Sequence, residues 1–170
     1  ERVTIPESCL NLDNYVFDHC SSLATVYLPT NLETIPFGIF ANCTSLPSIW
    51  IPNKVKTIMR QAFQNCESLT AISLPASLES LDPAAFMECF NLETVEISED
   101  CPNYKSVGNI VYNSDMSSIV LCPNGISGDI VVPDGVTEIQ PLAFTNCRKI
   151  KNVKLPEGLK TIGMSAFENC

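Results

Sequence analysis

Residues 58–75 read IMRQAFQNCESLTAISLP, and the spacing of the apolar residues in this stretch recurs along most of the chain. Phe63 precedes Cys66 by three residues, a spacing that suits a tight helical or irregular return. Ile72 and Leu74 lie two residues apart, as expected for one face of a strand. The proline that follows has no N–H to donate to a sheet, so it ends the strand at a corner.

The spacing recurs with a period of 23 residues, as between Phe40 and Phe63. Phenylalanines in this phase are Phe17, Phe40, Phe63, Phe86, Phe144 and Phe167. A cysteine follows each of them, at Cys20, Cys43, Cys66, Cys89, Cys147 and Cys170. So many copies at one offset indicate a repeat architecture.

A single repeat unit would leave its apolar side chains uncovered on one side. Stacking the units solves this problem, because each unit then covers the next and the backbones of equivalent strands pair. We therefore expect a parallel sheet with strands about 4.8 Å apart, and a row of phenylalanines buried one against another.

The combined pattern L-x-x-I-x-L-P and I-x-x-x-A-F-x-x-C resembles the leucine-rich repeat superfamily, and specifically the BspA-like subfamily of bacterial and protist surface proteins. Its clearest copies are residues 69–75 and 58–66. The resemblance covers nearly the whole chain. It implies an α/β repeat, namely a β-rich, right-handed solenoid with a parallel concave sheet, and a non-enzymatic domain for adhesion or host interaction.

The period is interrupted by an insert, residues 99–123. Two apolar segments, 107–112 and 118–123, flank a polar loop, a pattern that predicts a β-hairpin. We expect regular turns over 1–98 and 124–170, within one leucine-rich repeat domain spanning 1–170. Both termini fall inside the repeat pattern, and no polar cap is visible, so the chain is interpreted as a fragment of a longer array.

Composition narrows the possible functions. The formal net charge of −9 and the pI of about 4.5 argue against nucleic acid as a partner. No apolar run is long enough for a membrane helix, so we expect no membrane insertion. The chain has a single histidine, His19, and no phased nucleophile, base and acid, so we expect neither an enzyme nor a cofactor.

Nine cysteines could serve disulfides, metal binding or packing. The regular 23-residue spacing of six of these cysteines favours packing over the other two roles, because free cysteine is among the most buried residue types. No CxxC or paired-histidine spacing suggests a metal. Cys101 and Cys122 lie outside the phase of the six repeat cysteines, and they are the candidates for a disulfide if any pair is oxidised. The glycosylation sequon at Asn42 is interpreted as a turn residue of the repeat.

A partner would bind to the outward positions of the strands. One file of these positions holds Tyr27, Trp50, Ser73, Glu96 and Lys154, and the neighbouring file includes Thr25, Ser48 and Thr94. We expect Tyr27 and Trp50 to lie side by side at the strand spacing as an exposed aromatic patch. Aromatic anchors dominate binding hot spots, so this patch is the leading candidate for ligand binding. Alternatively, Trp50 only covers sheet surface.

Three functions remain open from the sequence. The first is a protein–protein interaction scaffold that binds through its concave sheet. The family resemblance implies that it lies at the cell surface or is secreted, and an intracellular location stays open. The second is a structural component that packs through the ends of its repeats. The third is a carbohydrate-binding module that uses the aromatic patch, since flat aromatic rings can stack on sugars.

Overall fold

The computed structural model describes every residue of the chain, 1–170. The chain forms a solenoid of about seven turns. It contains strands and turns but no helix. The strands are β1 (Arg2–Thr4), β2 (Thr25–Tyr27), β3 (Thr34–Ile35), β4 (Thr57–Ile58), β5 (Ala71–Leu74), β6 (Ser80–Leu81), β7 (Thr94–Ile97), β8 (Tyr104–Val107), β9 (Ile110–Asn113), β10 (Ser118–Leu121), β11 (Gly128–Val131), β12 (Glu138–Ile139), β13 (Ile150–Lys154) and β14 (Thr161–Ile162).

The strands form two faces of the solenoid. Face A holds the strands that precede the proline corners, and it consists of the parallel pairs β1–β2, β5–β7 and β11–β13. Face B follows the corners and consists of β3–β4–β6 and of β14–β12–β10–β9–β8. The sequence predicted face A alone. Face B was missed because most of its strands are only two residues long, too short for a period of two to be visible.

The return is irregular, which is one of the two forms that the sequence left open, and the helical form that an α/β repeat implies is wrong. The amides of Gly38, Phe40 and Asn42 donate across to carbonyls of the next turn at 2.8 to 3.3 Å, so alternate residues of the return are unavailable for helical hydrogen bonds. Left-handed residues such as Gln61 (φ 59°) and Asn65 (φ 54°) also bracket Phe63 and reverse the chain. The return is therefore a third row of hydrogen bonds between turns.

Asparagine is favoured just before the repeat cysteine because the backbone there has a positive φ. Asn42 has φ 60° and Asn146 has φ 62°. The side chains also connect the turns, since Asn65 Nδ2 donates to Asn42 Oδ1 at 3.0 Å and Asn169 Nδ2 donates to Asn146 Oδ1 at 3.2 Å. Asn42 is thus a turn residue with both ends of its amide engaged, because it also donates to Asp18.

The phenylalanines form the interior row that the period predicts. Ring centroids are 5.5 Å apart for Phe17–Phe40 and Phe40–Phe63, and 5.3 Å apart for Phe63–Phe86. Phe144 and Phe167 continue the row beyond the insert at 4.9 Å. The core accordingly divides into clusters of 30 and 12 buried residues that meet at the insert.

The insert contains the predicted hairpin and one strand more. Strands β9 and β10 pair antiparallel, with Ile119 opposite Tyr112, which confirms the hairpin. The prediction of one continuous segment over 107–112 is wrong, because Gly108 (φ 57°) and Asn109 (φ 63°) make a two-residue turn that joins β8 to β9. Both turn residues have positive φ, as the hairpin turn that matches strand twist requires.

Cys101 and Cys122 do not form a disulfide, since all nine cysteines are free. Both are buried. Cys101 lies 23 residues after the core residue Leu78 and its thiol donates to the Leu78 carbonyl at 3.6 Å. Cys122 occupies the phenylalanine position of its turn, because its amide donates to Ala143 as that of Phe40 does to Ala62. Both residues therefore belong to the stacked core.

Candidate functional site

An open groove of approximately 860 Å³ lies on face A between the third and fifth turns. Its lining includes Trp50, Ser73 and Glu96, three residues of the outward file. Glu99, Ser106 and Asn109 also line it. The insert therefore contributes one wall, and the regular turns contribute the floor.

The floor is fixed by pairing of β5 with β7. Ser73 lies opposite Glu96 in this pair, and Ile72 and Val95 beside them are buried, so the Ser73 and Glu96 side chains face outward. The hydroxyl of Ser73 donates to Oε2 of Glu96 at 2.9 Å. This bond orients the carboxylate and leaves its second oxygen without a partner in the protein.

Trp50 lies where face A is interrupted. Residues 48–51 form no strand, although the period predicts one there. In two other turns the equivalent of residue 47 donates to the preceding turn, as Ala24 does to Glu1 and Glu93 does to Thr70, but Pro47 has no N–H to donate. Ile49 and Ile51 remain buried, so the Trp50 side chain points outward and is 55% exposed.

The wall of the groove is the turn that joins β8 to β9. The hydroxyl of Ser106 donates to the backbone carbonyl of Val95 in β7 at 2.6 Å, which fixes β8 beside the floor. The tip, Gly108 and Asn109, is exposed at the groove. Sequence reasoning missed this wall, although the dipeptide Gly-Asn between two β-prone segments is a recognised hairpin signal.

Other residues of the predicted site lie outside the groove. Tyr27 and Trp50 form no ring–ring pair, and the Arg2 guanidinium carbon lies 4.7 Å from the Tyr27 ring centroid instead. None of the second file lines the groove: Thr25 and Thr94 are half-buried, and Ser48 is exposed. Lys154 is exposed in β13, beyond the insert.

The groove carries charge of one sign. Glu96 and Glu99 are its only charged lining residues, and both are exposed. This local charge has the same sign as the formal net charge of −9. An exposed ring in the same groove as an oriented carboxylate suits recognition of a ligand.

Four of the six repeat cysteines, Cys43, Cys66, Cys89 and Cys147, form a buried row with a structural role. The thiol of Cys66 donates to the Phe40 carbonyl of the preceding turn at 3.2 Å, and Cys89 donates in the same way to Phe63 at 3.0 Å. Burial raises the pKa of the Cys43 thiol to about 12. Hydrogen bonding with Cys89 and burial raise the pKa of Cys66. These thiols stay protonated at neutral pH and are poor nucleophiles.

Neither a metal cluster nor a membrane helix is found. No group of three or more histidine, cysteine, aspartate or glutamate side chains is arranged to hold a metal ion. The structure also lacks any helix with the length and apolar character needed to cross a membrane.

The stacked turns, the phased phenylalanines and the outward file together define a leucine-rich repeat solenoid. The family model for the BspA type leucine rich repeat region matches residues 1–115 and 124–170 in six copies. The chain belongs to this family. Proteins of this family generally act as protein-interaction scaffolds and are typically non-enzymatic.

Solved structures share the fold. A leucine-rich repeat protein from Eubacterium ventriosum superposes with a TM-score of 0.82 at 20% identity, over 98% of this chain and 50% of that one. A leucine rich cell surface protein from Faecalibacterium prausnitzii gives 0.78 at 27% identity, over 100% and 52%. The pneumococcal vaccine antigen PcpA gives 0.79 at 17% identity, over 95% and 58%.

The chain spans 50 to 58% of the length of these three proteins. Among proteins with curated descriptions, none matches the sequence.

Proposed function

We propose that the protein is a binding module that recognises a protein partner through the face A groove, at a cell surface. The observation that carries this proposal is the exposed Trp50 ring at the rim of a groove whose floor and wall are both fixed by hydrogen bonds. Membership of a family of protein-interaction scaffolds supports the same function. The surface location is supported by the relative described as a cell surface protein.

The groove is preformed, which favours affinity. Ser106 fixes the wall through Val95, and Ser73 fixes the Glu96 carboxylate, before any partner arrives. Little conformational entropy is then lost on binding, so a larger share of the contact energy contributes to affinity. Trp50 supplies the apolar contact area typical of a hot spot.

A binding experiment with a matched aromatic control tests the proposal. The chain is probed against an array of purified extracellular proteins and against a glycan array, as wild type, Trp50→Ala and Tyr27→Ala. Tyr27 is similarly exposed in the same file but lies outside the groove. We expect saturable binding to a protein, weakened by more than about 1 kcal/mol by Trp50→Ala and little changed by Tyr27→Ala.

Two results would contradict the proposal. Binding confined to the glycan array would favour the carbohydrate function. Protein binding that survives Trp50→Ala unchanged would remove the groove from consideration.

A further inference from the structure

We propose that the partner segment held by the groove carries an arginine, whose guanidinium lies above Ser73 between the Trp50 ring and the Glu96 carboxylate. This inference rests on the proposed function and gives the chemistry of the partner. It is a polypeptide with exposed basic side chains that crosses face A from the third to the fifth turn.

The space above Ser73 is suited to a flat cation. Trp50 and Glu96 lie on either side of Ser73 in the outward file, so two turns of the solenoid, about 10 Å, separate their backbones. The small Ser73 side chain leaves the region between the long side chains of its neighbours open to solvent, within the groove. A guanidinium placed there contacts an aromatic face on one side and a carboxylate on the other.

The charges around this space select a cation. Glu96 and Glu99 carry the only charges in the lining, and no lysine or arginine of the chain balances them there. Ser73 occupies Oε2 of Glu96, so the second carboxylate oxygen is free to accept from a partner. A charge-assisted hydrogen bond to an oriented carboxylate is stronger than a neutral one.

A contact of the same kind joins the first two turns of the chain. Tyr27 and Trp50 hold equivalent positions, 23 residues apart. The Arg2 guanidinium carbon lies 4.7 Å from the Tyr27 ring centroid, but no cation of this chain lies over Trp50. Face A therefore places a guanidinium on an aromatic ring at one turn and leaves the next ring uncovered. Arginine suits both neighbours, because it stacks on rings and pairs with carboxylates.

Direct titration with a synthetic peptide tests the inference. The probe is a capped octapeptide of alternating serine and arginine, and its control replaces each arginine by citrulline, which keeps the shape but removes the charge. Isothermal titration calorimetry at moderate salt should give at least about tenfold tighter binding for the arginine peptide. Because Trp50 is the only tryptophan, its fluorescence should change on binding of the arginine peptide alone.

Three variants locate the binding. Glu96→Gln and Trp50→Leu should each weaken binding of the arginine peptide by about fivefold or more. Glu67→Gln removes the same charge at an exposed position outside the groove, and it should change affinity by less than about twofold. Circular dichroism of each variant checks that the fold is retained.

Equal affinity for the arginine and citrulline peptides would overturn the inference. An effect of Glu67→Gln as large as that of Glu96→Gln would also overturn it, because diffuse attraction to an acidic chain would then explain binding. If an array protein binds in a Trp50-dependent way while the arginine peptide does not bind, this inference fails and the proposed function stands. If Trp50→Ala leaves that protein's binding unchanged while the peptide still binds between Trp50 and Glu96, the proposed function fails and this inference stands.

Discussion

The regular turns and the insert solve the same packing problem in different ways. In the regular turns, Phe40, Phe63 and Phe86 stack at 5.3 to 5.5 Å, so each turn covers the next with the same residue. At the insert a smaller residue, Cys122, occupies the phenylalanine position, and the aromatic row resumes only at Phe144. The regular turns supply the floor of the groove, and the insert supplies its wall.

The insert leaves one buried polar atom without a hydrogen bond. The only buried side-chain polar atom without a hydrogen bond is Asn124 Oδ1, where the chain leaves the insert. The amide nitrogen of the same residue donates to the Thr145 carbonyl at 2.7 Å. We call the junction between the regular turns before and after the insert the seam. A cation–π contact crosses the seam and partly compensates for the missing hydrogen bond, because the Arg148 guanidinium carbon lies 4.4 Å from the centroid of the Phe90 ring. Variants on either side of the seam can therefore test whether the two regions differ.

The largest effect is expected from the interior row. Phe63→Ala should lower the free energy of unfolding by about 3 to 5 kcal/mol, because it removes a ring stacked on both sides and leaves a cavity. Phe144→Ala should fall at the lower end of this range, since Phe144 stacks on one ring only. Urea denaturation followed by circular dichroism measures both. Equal losses would show that the seam packs as well as the regular turns.

The next effect is expected where the chain leaves the insert. A Cβ atom on Gly125 would lie 2.6 Å from the Leu92 carbonyl oxygen, a backbone atom that cannot move aside, whereas one on Gly158 would meet nothing within 4 Å. Gly125→Ala should therefore destabilise the protein by about 1 to 3 kcal/mol. Gly158→Ala, in a regular turn, should be neutral or slightly stabilising. A neutral Gly125→Ala would mean that the junction is loosely packed.

A smaller effect is expected from the cysteine row at high pH. The pKa of Cys43 is raised to about 12 in the folded protein, above that of an unfolded thiol near 9. Between these values the unfolded chain loses the proton while the folded protein keeps it, so stability is full below pH 9 and falls as the pH rises towards 12. Cys43→Ala should reduce the loss of unfolding free energy between pH 8 and pH 10.

The wild-type protein is the reference for this pH effect. If Cys43→Ala lost as much unfolding free energy as the wild type between pH 8 and pH 10, the thiol of Cys43 would not be protected by the stack.

Much of the fold could be predicted from the sequence because repetition multiplies weak signals. A single turn leaves three features ambiguous, namely the strand around Ile72, the interior position of Phe63 and the burial of Cys66. Their regular spacing over six turns removes the ambiguity. The left-handed residues of the return were not predicted. Asn65 gives a hint, but glutamine at position 61 has no special preference for positive φ, and only the hydrogen bonds between turns impose it.

The candidate site could be predicted only in part. The period places Trp50, Ser73 and Glu96 in one file, and the groove contains all three. The period could not exclude Tyr27, because the contact with Arg2 depends on side-chain conformation. It also could not supply Ser106 and Asn109, since residues outside the repeat have no phase, and their position follows from how the insert packs on β7.

The central claim is that face A is free for binding because the fold does not need its outward residues. The variant with the smallest expected effect on stability tests this claim. Trp50→Ala and Phe63→Ala replace aromatic residues of the same turn, one outward and one inward. Measured side by side in urea, Trp50→Ala should change the free energy of unfolding by no more than about 0.5 kcal/mol. A loss as large as that of Phe63→Ala would instead make Trp50 part of the core.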